Sequence, residues 1–494
     1  MINKAFDNDL YLKIQKDNID KRINSFGGKL YVEFGGKLFD DYHASRVLPG
    51  FEPDAKLKVL LSMKDKVEII FAINSKDIEA NKVRADSGIS YISEVERLID
   101  AYNDVGLYVG GVVFSFYEVN LTVNTFIRKL NRNGIKTYKH YAIEGYPQDL
   151  EKIFGKDGFE KNDYIETSKP LVVVTAPGPG SGKMAVCLSQ LYHDYKRGIK
   201  SGYAKYETFP VWNLPLKHPI NLAYEAATAD LNDVNMIDPY HLEKYGVIAI
   251  NYNRDIDSFP ILKSIFDKIY GVSPYNSPTD MGVNMVGFAI IDEVNAIAAA
   301  NQEIIRRHYQ AQKNAYLGKI TTTIDEKIDS LMNMQSLHEK DRLCVNKCLA
   351  KEKKTGQPSM AIELEDGTIV SGKRTDLLGA GAATLINCLK YLAGIDKKVL
   401  LLSPDVLKPI VVLKTGPLKK EIPRLRVEEV LIALAMEAHN NEIAKLALEQ
   451  LPKLEHAQAH SSCILSETDL KTLKSLGVDV TEEPVAYAHK LYLK

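Results

Sequence analysis

Apolar residues in the first half of the chain fall in short β-rich runs separated by stretches of helical period. VEIIFAI (67–73), LYVGGVVFSF (107–116), IKTYKHYAI (135–143), PLVVVTA (170–176), AKYETFPVW (204–212) and GVIAINY (246–252) have the length and β-branched content of strands. Between several of them, ISEVERLIDAYNDV (92–105) and LTVNTFIRKLNRNG (121–134) repeat apolar positions every three or four residues, which predicts helices. Such alternation predicts an α/β fold with a mainly parallel sheet, helices on both faces, and ligands at the carboxyl ends of the strands. KLYVEFGGKLF (29–39) predicts a hairpin turning at Gly35-Gly36.

From about 284 to 350 the period is helical, with alanine and long polar residues and no glycine or proline between Asp292 and Gly318. KEKKTGQPS (351–359) has the composition of a linker. Two strands about an Asp366-Gly367 turn follow, then a helix from about Gly379, strands at 399–403 and 410–414, a long helix over 427–451, a strand-like AQAHSSCIL (457–465), a short helix and LGVDV (476–480). The expected organisation is an α/β phosphate- or nucleotide-binding region (1–285), a helical subdomain (286–350) and a C-terminal α/β domain (351–494).

Composition narrows the partners. Of 494 residues, 63 are basic and 64 acidic, so no bulk field draws the chain to nucleic acid or an anionic membrane. No apolar run reaches membrane-spanning length, and the charged start lacks the apolar core of a secretory signal. Five sparse cysteines fit reduced thiols in the cytoplasm. Cys344 and Cys348, four apart on a helix, read as one buried face rather than a metal pair.

The richest chemistry lies in VVVTAPGPGSGKM (172–184), a strand, a glycine loop and a helix start. Gly182-Lys183 matches the end of a Walker A loop, but Pro177 stands where the first glycine belongs and Met184 where a hydroxyl would hold Mg²⁺. The dinucleotide pattern fails at Lys183. The physics favours an anion nonetheless. Backbone N–H groups around Gly178, Gly180, Ser181 and Gly182 can converge, the following helix presents its positive end, and Lys183 adds a mobile charge. A glycine turn that only packs closely is the other reading.

Asn251, Asn253, Arg254, Asp255 and Asp257 follow the 246–252 strand and resemble the strand-end acids of nucleotide-hydrolysing folds; Arg254 would neutralise a transferring phosphate. A capped helix start explains them equally well. Asp230, Asp233 and Asp238 read mostly as helix caps, 273–287 as an interdomain turn, and Asp40, Asp41, His43 and Arg46 as a charged surface turn.

The C-terminal order of strand, turn, strand, helix and strand looks like a cytidine-deaminase scaffold. Neither 378–383 nor 403–407 carries a zinc ligand, so the expectation is a zinc-free version. Gly379 and Gly381 beside Lys373 and Arg374 suit either a second anion or close helix packing, with packing ahead. As a strand, HAQAHSS (456–462) sets His456, Gln458, His460 and Ser462 on one polar face, making His460 an acid–base candidate. Residues 338–342, HEKDR, stop short of a zinc-peptidase motif.

TAPGPGSGKMA, FPVWNLPLKHPINLAYEAATADL, DGTIVSGKRTDLLGAGAATLIN and HSSCILSETDLKTLKSLGVDVTEEP together resemble uncharacterised protein family 0371, along essentially the whole chain. The resemblance implies a cytoplasmic bacterial protein with α/β regions at both ends, and it supplies no catalytic residues. Two functions follow from the residues. One is an enzyme that binds a nucleotide or other phosphorylated ligand at 178–183 and performs phosphoryl transfer or hydrolysis, with Mg²⁺ use left open by Met184. The other is a non-catalytic sensor or scaffold that binds a regulatory anion. The alanine-rich 296–300 stretch suits helix–helix contact in a homo-oligomer.

Overall fold

Six strands form the larger sheet: β1 (Leu30–Phe34), β2 (Val67–Asn74), β3 (Tyr108–Ser115), β4 (Thr137–Lys139), β5 (Leu171–Thr175) and β6 (Gly202–Tyr206). Their order is β4-β3-β2-β5-β1-β6, with every pairing parallel. β5 lies inside the sheet and buries Leu171, Val172, Val173 and Val174 on both faces, each contributing roughly 1.5–3 kcal/mol. The computed structural model describes residues 4–36, 38–84, 88–320 and 322–486.

Side-chain alternation shows which helices cover which face. Tyr102, on helix Tyr91–Asp104, meets Phe71, and Phe126, on helix Leu121–Arg132, meets Phe114. Helices Lys183–Lys196 and Asn253–Tyr270 pack on the opposite face with Ile70, Val113, Val172 and Val174. The chain leaving β2 therefore goes to one side of the sheet and the chain leaving β5 to the other. Their adjacent carboxyl ends open a crevice at a topological switch point.

The hairpin expected over 29–39 does not form. β1 pairs in parallel with β5 and β6, and Leu38 and Phe39 belong to no strand; Lys37 lies outside the described residues. A buried strand flanked by two others has no free edge for a hairpin partner. The 135–143 run contributes only the three residues of β4. The 246–252 run contributes β8 (Ile250–Tyr252), which pairs antiparallel with β7 (Asn235–Ile237) in a separate ribbon.

The second sheet runs β10-β9-β11-β12, from β9 (Ser359–Glu363), β10 (Ile369–Lys373), β11 (Gln458–Ser461) and β12 (Asp479–Glu482). β9 is antiparallel to β10 and β11, and β11 is parallel to β12. The strands expected at 399–403 and 410–414 are absent. Pro404 instead opens a helix, Pro404–Thr415, that sets Val406, Leu407, Ile410 and Val411 against the core. The strand–helix–strand order behind the deaminase likeness breaks there. The long helix expected over 427–451 is two, Val427–Glu437 and Glu442–Leu448, because Asn441 caps the second by accepting from the N–H groups of Ile443 and Ala444. The expected linker at 351–359 is mostly the end of helix Leu343–Thr355, closed by Gly356, and β9 begins at Ser359.

The chain divides into two compact units. One holds Lys4–Tyr224 and Asp233–Ala296; the other holds Glu225–Asn232 and the chain from Ile297 onward. No helix among the described residues is long and apolar enough to cross a membrane.

Candidate functional site

The glycine loop lies at the carboxyl end of β5, in the switch-point crevice. Gly180 (φ 73°) and Gly182 (φ 84°) adopt the left-handed conformation that a side chain disfavours. Two side chains from neighbouring strand ends hold the loop from behind. Asn74 Nδ2 donates to the carbonyl of Gly180 at 3.3 Å, and Ser115 Oγ donates to that of Ser181 at 2.6 Å. In a trans peptide the N–H points opposite to the C=O, so the amides of Ser181 and Gly182 point away from these two donors. Among the described residues, the N–H groups of Gly178, Gly180, Ser181, Gly182, Lys183, Met184 and Ala185 donate to no protein acceptor, and no side chain caps the helix that starts at Lys183. Ser181 Oγ is buried and also without a hydrogen-bond partner. A helix start with its first-turn amides free and no capping acid is a positive electrostatic end.

Lys183 is half-buried and makes no hydrogen bond or ion pair among the described residues. Met184, at the position of the Mg²⁺-binding hydroxyl, packs against the core instead. One helical turn on, burial pushes the Cys187 thiol well up; Glu33 raises it further and Lys183 opposes the shift.

A charged cluster surrounds the carboxyl end of β6. Lys205 Nζ stands 2.5 Å from Asp255 Oδ2 and 3.1 Å from Glu207 Oε2, with its side chain 12% exposed. Tyr203 donates its hydroxyl to Glu33 at 2.8 Å. Burial acts against the Lys205 ammonium, yet Glu207, Asp255 and Glu33 together raise its pKa. Burial pushes the Glu207 carboxyl above its usual range, Lys205 pulls it back, and Asp255 and Glu33 add to the rise. Glu33 thus acts electrostatically on both this cluster and the first turns of the glycine-loop helix. The cluster borders a cleft of about 50 Å³ lined by Lys205, Glu207, Trp212, Asn251, Asp255 and Asn284. At ~10–15 Å³ per water, that space takes about four waters or one small polar group.

The structure separates the other sequence candidates. Arg254 and Asp255 lie in the first turn of helix Asn253–Tyr270, and Asp257 follows in the second. Asp255 is buried on Lys205, while Arg254 reaches Asp233 at 3.5 Å and Asp255 at 3.9 Å. Asp257 is exposed on another side of the helix, away from that cluster. Asp238 caps helix Pro239–Tyr245, as expected. Asp41 and His43 turn inward rather than onto a charged surface: Asp41 pairs with buried Lys56 at 2.8 Å, and His43 packs on Phe209 and Tyr224.

His460 belongs to the other unit and is fully buried. Its ring nitrogens meet Thr481 Oγ1 at 2.9 Å and Glu483 Oε1 at 3.1 Å, and Tyr309 lies against the ring. Burial lowers its pKa, and Glu483 partly offsets that. His456 precedes β11 and is exposed, so the two histidines do not share one polar face. Gly379 spends its amide on the Leu425 carbonyl, and a Cβ on Gly381 would stand 3.0 Å from Val427, so close packing accounts for both glycines. Cys344 and Cys348 are fully buried beside Ala361, the small apolar face expected of them.

Lys205, Glu207, Asn74 and Ser115 escaped the sequence reading. Their signal is positional: each lies at or just beyond the carboxyl end of a strand in a parallel sheet.

Comparison with known proteins matches residues 4–336 to the model described as "Domain of unknown function DUF1846, N-terminal" and residues 340–492 to its C-terminal counterpart. The chain is 54% identical over 490 residues, 99% of each chain, to a "UPF0371 protein" of Streptococcus pyogenes serotype M5. It is 53% identical over 492 residues to a "UPF0371 protein" of Streptococcus equi subsp. zooepidemicus, covering 100% of this chain and 98% of that one.

Proposed function

Starting from a chain that belongs to the DUF1846 family along nearly its whole length, we propose that it binds a phosphorylated small molecule, nucleotides included, at a P-loop-like turn over 178–185 and acts in phosphoryl transfer or hydrolysis. The observation that carries this reading is the run of free amides from Gly180 to Ala185, with the loop carbonyls tied to Asn74 and Ser115. Backbone N–H groups converging at a helix start, with a lysine beside them, match the charge and donor needs of a phosphate group.

The roles divide by position. The amides and Lys183 hold the phosphate. Arg254 adds positive charge on the β6 side, where Lys205 holds Asp255 and Glu207. Glu207, with its carboxyl pKa raised by burial, is the proton carrier. Met184 supplies no oxygen for Mg²⁺, so charge neutralisation falls to Lys183 and Arg254 in this reading.

The test is thermal stabilisation by inorganic phosphate, ATP, ADP and nucleotide sugars, with and without Mg²⁺, in wild type and Lys183→Ala. A ligand at ~100 times its dissociation constant stabilises by about 2.7 kcal/mol. The expected result is a shift with at least one phosphorylated ligand that Lys183→Ala loses, followed by turnover of that ligand. An equal shift in wild type and variant, or none with any phosphate compound, removes the site.

A further inference from the structure

A second cluster, in the unit that holds the chain from Ile297 onward, has no part in that reading. His308 lies on helix Glu293–Tyr316, and Asp325 and Asp329 lie four apart on helix Thr322–Met334, so both carboxylates share one helix face toward His308. One ligand atom from each of the three falls within 4.8 Å of the others. We propose that His308, Asp325 and Asp329 bind a divalent first-row transition ion, with Glu339 orienting the imidazole.

The imidazole geometry carries the argument. His308 is 5% exposed. Its Nε2 meets Glu339 Oε1 at 3.0 Å, with Nε2–H donating to the carboxylate, which leaves Nδ1 as the ring nitrogen open to an ion. Nδ1 lies 2.7 Å from Asp329 Oδ1, yet it makes no hydrogen bond. Asp325 Oδ1 is buried and has no hydrogen-bond partner either. Two buried atoms without a hydrogen bond, His308 Nδ1 and Asp325 Oδ1, thus converge with an Asp329 carboxylate oxygen on one space.

A cation off the Nδ1–Oδ1 line resolves this. With metal–ligand distances of ~2.1 Å, two ligand atoms at right angles sit about 3 Å apart and each lone pair aims at the ion rather than at the other atom. The Glu339 contact is the carboxylate–histidine–metal relay that fixes the tautomer and ring plane. One imidazole with two carboxylates favours first-row transition ions, Zn²⁺ through the imidazole and Mn²⁺ through the carboxylates, over Mg²⁺ and Ca²⁺, which take all-oxygen sets. Three protein ligands leave coordination positions open to water or a small anion.

The experiment titrates the chelator-treated full chain with Mn²⁺ or Zn²⁺ alone, read by calorimetry and by the Mn²⁺ paramagnetic resonance signal. Mg²⁺ and Ca²⁺ serve as comparisons. The expected result is one saturable site for Mn²⁺ or Zn²⁺, weakened more than ~10-fold in Asp325→Asn and Asp329→Asn and about 10-fold in Glu339→Gln. Circular dichroism and melting of the metal-free variants confirm that they fold, and the two aspartate variants keep the test decisive should His308→Gln fail to fold. No saturable binding, undiminished binding in both aspartate variants, or equal affinity for Mg²⁺ each overturns the assignment.

Discussion

Lys205 stands between two carboxylates, and its worth is set by what its removal leaves behind. Lys205→Met strands Asp255 and Glu207 in a mostly buried site, at a cost of about 3–5 kcal/mol. The cost depends on pH with a definite sign. Glu207 has a folded-state pKa raised by burial, so folding favours its protonated form. Its contribution is fully present below the unfolded value of about 4.3 and is lost as pH rises through the folded value. Without the lysine, that loss deepens. Urea unfolding of the variant shows a larger deficit at pH 8 than at pH 5; an equal deficit at both disproves the coupling. At this scale the sequence displayed the glycine loop but hid Lys205. Gly180, Gly182 and Lys183 announce themselves locally, whereas Lys205 acquires meaning only once β6 lies beside β1, a pairing between residues far apart in the chain.

For the elements, the glycine loop separates stability from ligand binding. Gly180→Ala places a Cβ in open space but at φ 73°, so the folded chain loses only about 1–2 kcal/mol of stability. Relaxing that strain rotates the peptide planes on either side and disperses the amides. The expected result is a small drop in melting temperature together with loss of the phosphate-dependent shift; retention of the shift shows that the amides take no part. Strand and helix identities were legible where the period was long, as in 91–104 and 121–132. They were not legible in VLLLS and IVVLK. Four- or five-residue apolar runs fit either a buried strand or one face of a helix, and Pro404 decides the second case by opening a helix. β7 and β8 show the same limit from the other side: a β-rich run found its partner in a local ribbon rather than in the main sheet.

At the level of the whole molecule, the unit boundary left no trace in composition. Residues 225–232 return to the unit made mostly of the chain after 297, and 297–350 belongs to that same unit. Tyr309 covers His460, and Lys313 pairs with Glu482, so helix Glu293–Tyr316 shields β11 and β12. A fragment from 297 onward keeps cooperative unfolding and slow amide exchange in those strands. One from 340 onward, cut at the family-model boundary, exposes them and loses both; equal protection in the two fragments refutes the shielding.

All five cysteines are buried. Burial raises the thiols of Cys344 and Cys463 to about 11 and that of Cys388 to about 12. The native fold therefore offers alkylating reagents almost no thiolate, and each thiol becomes a clock for the opening of its own neighbourhood. Cys187 sits one turn past Lys183, so its rate of modification reports the glycine loop, while Cys344 and Cys348 time the sheet that carries His460.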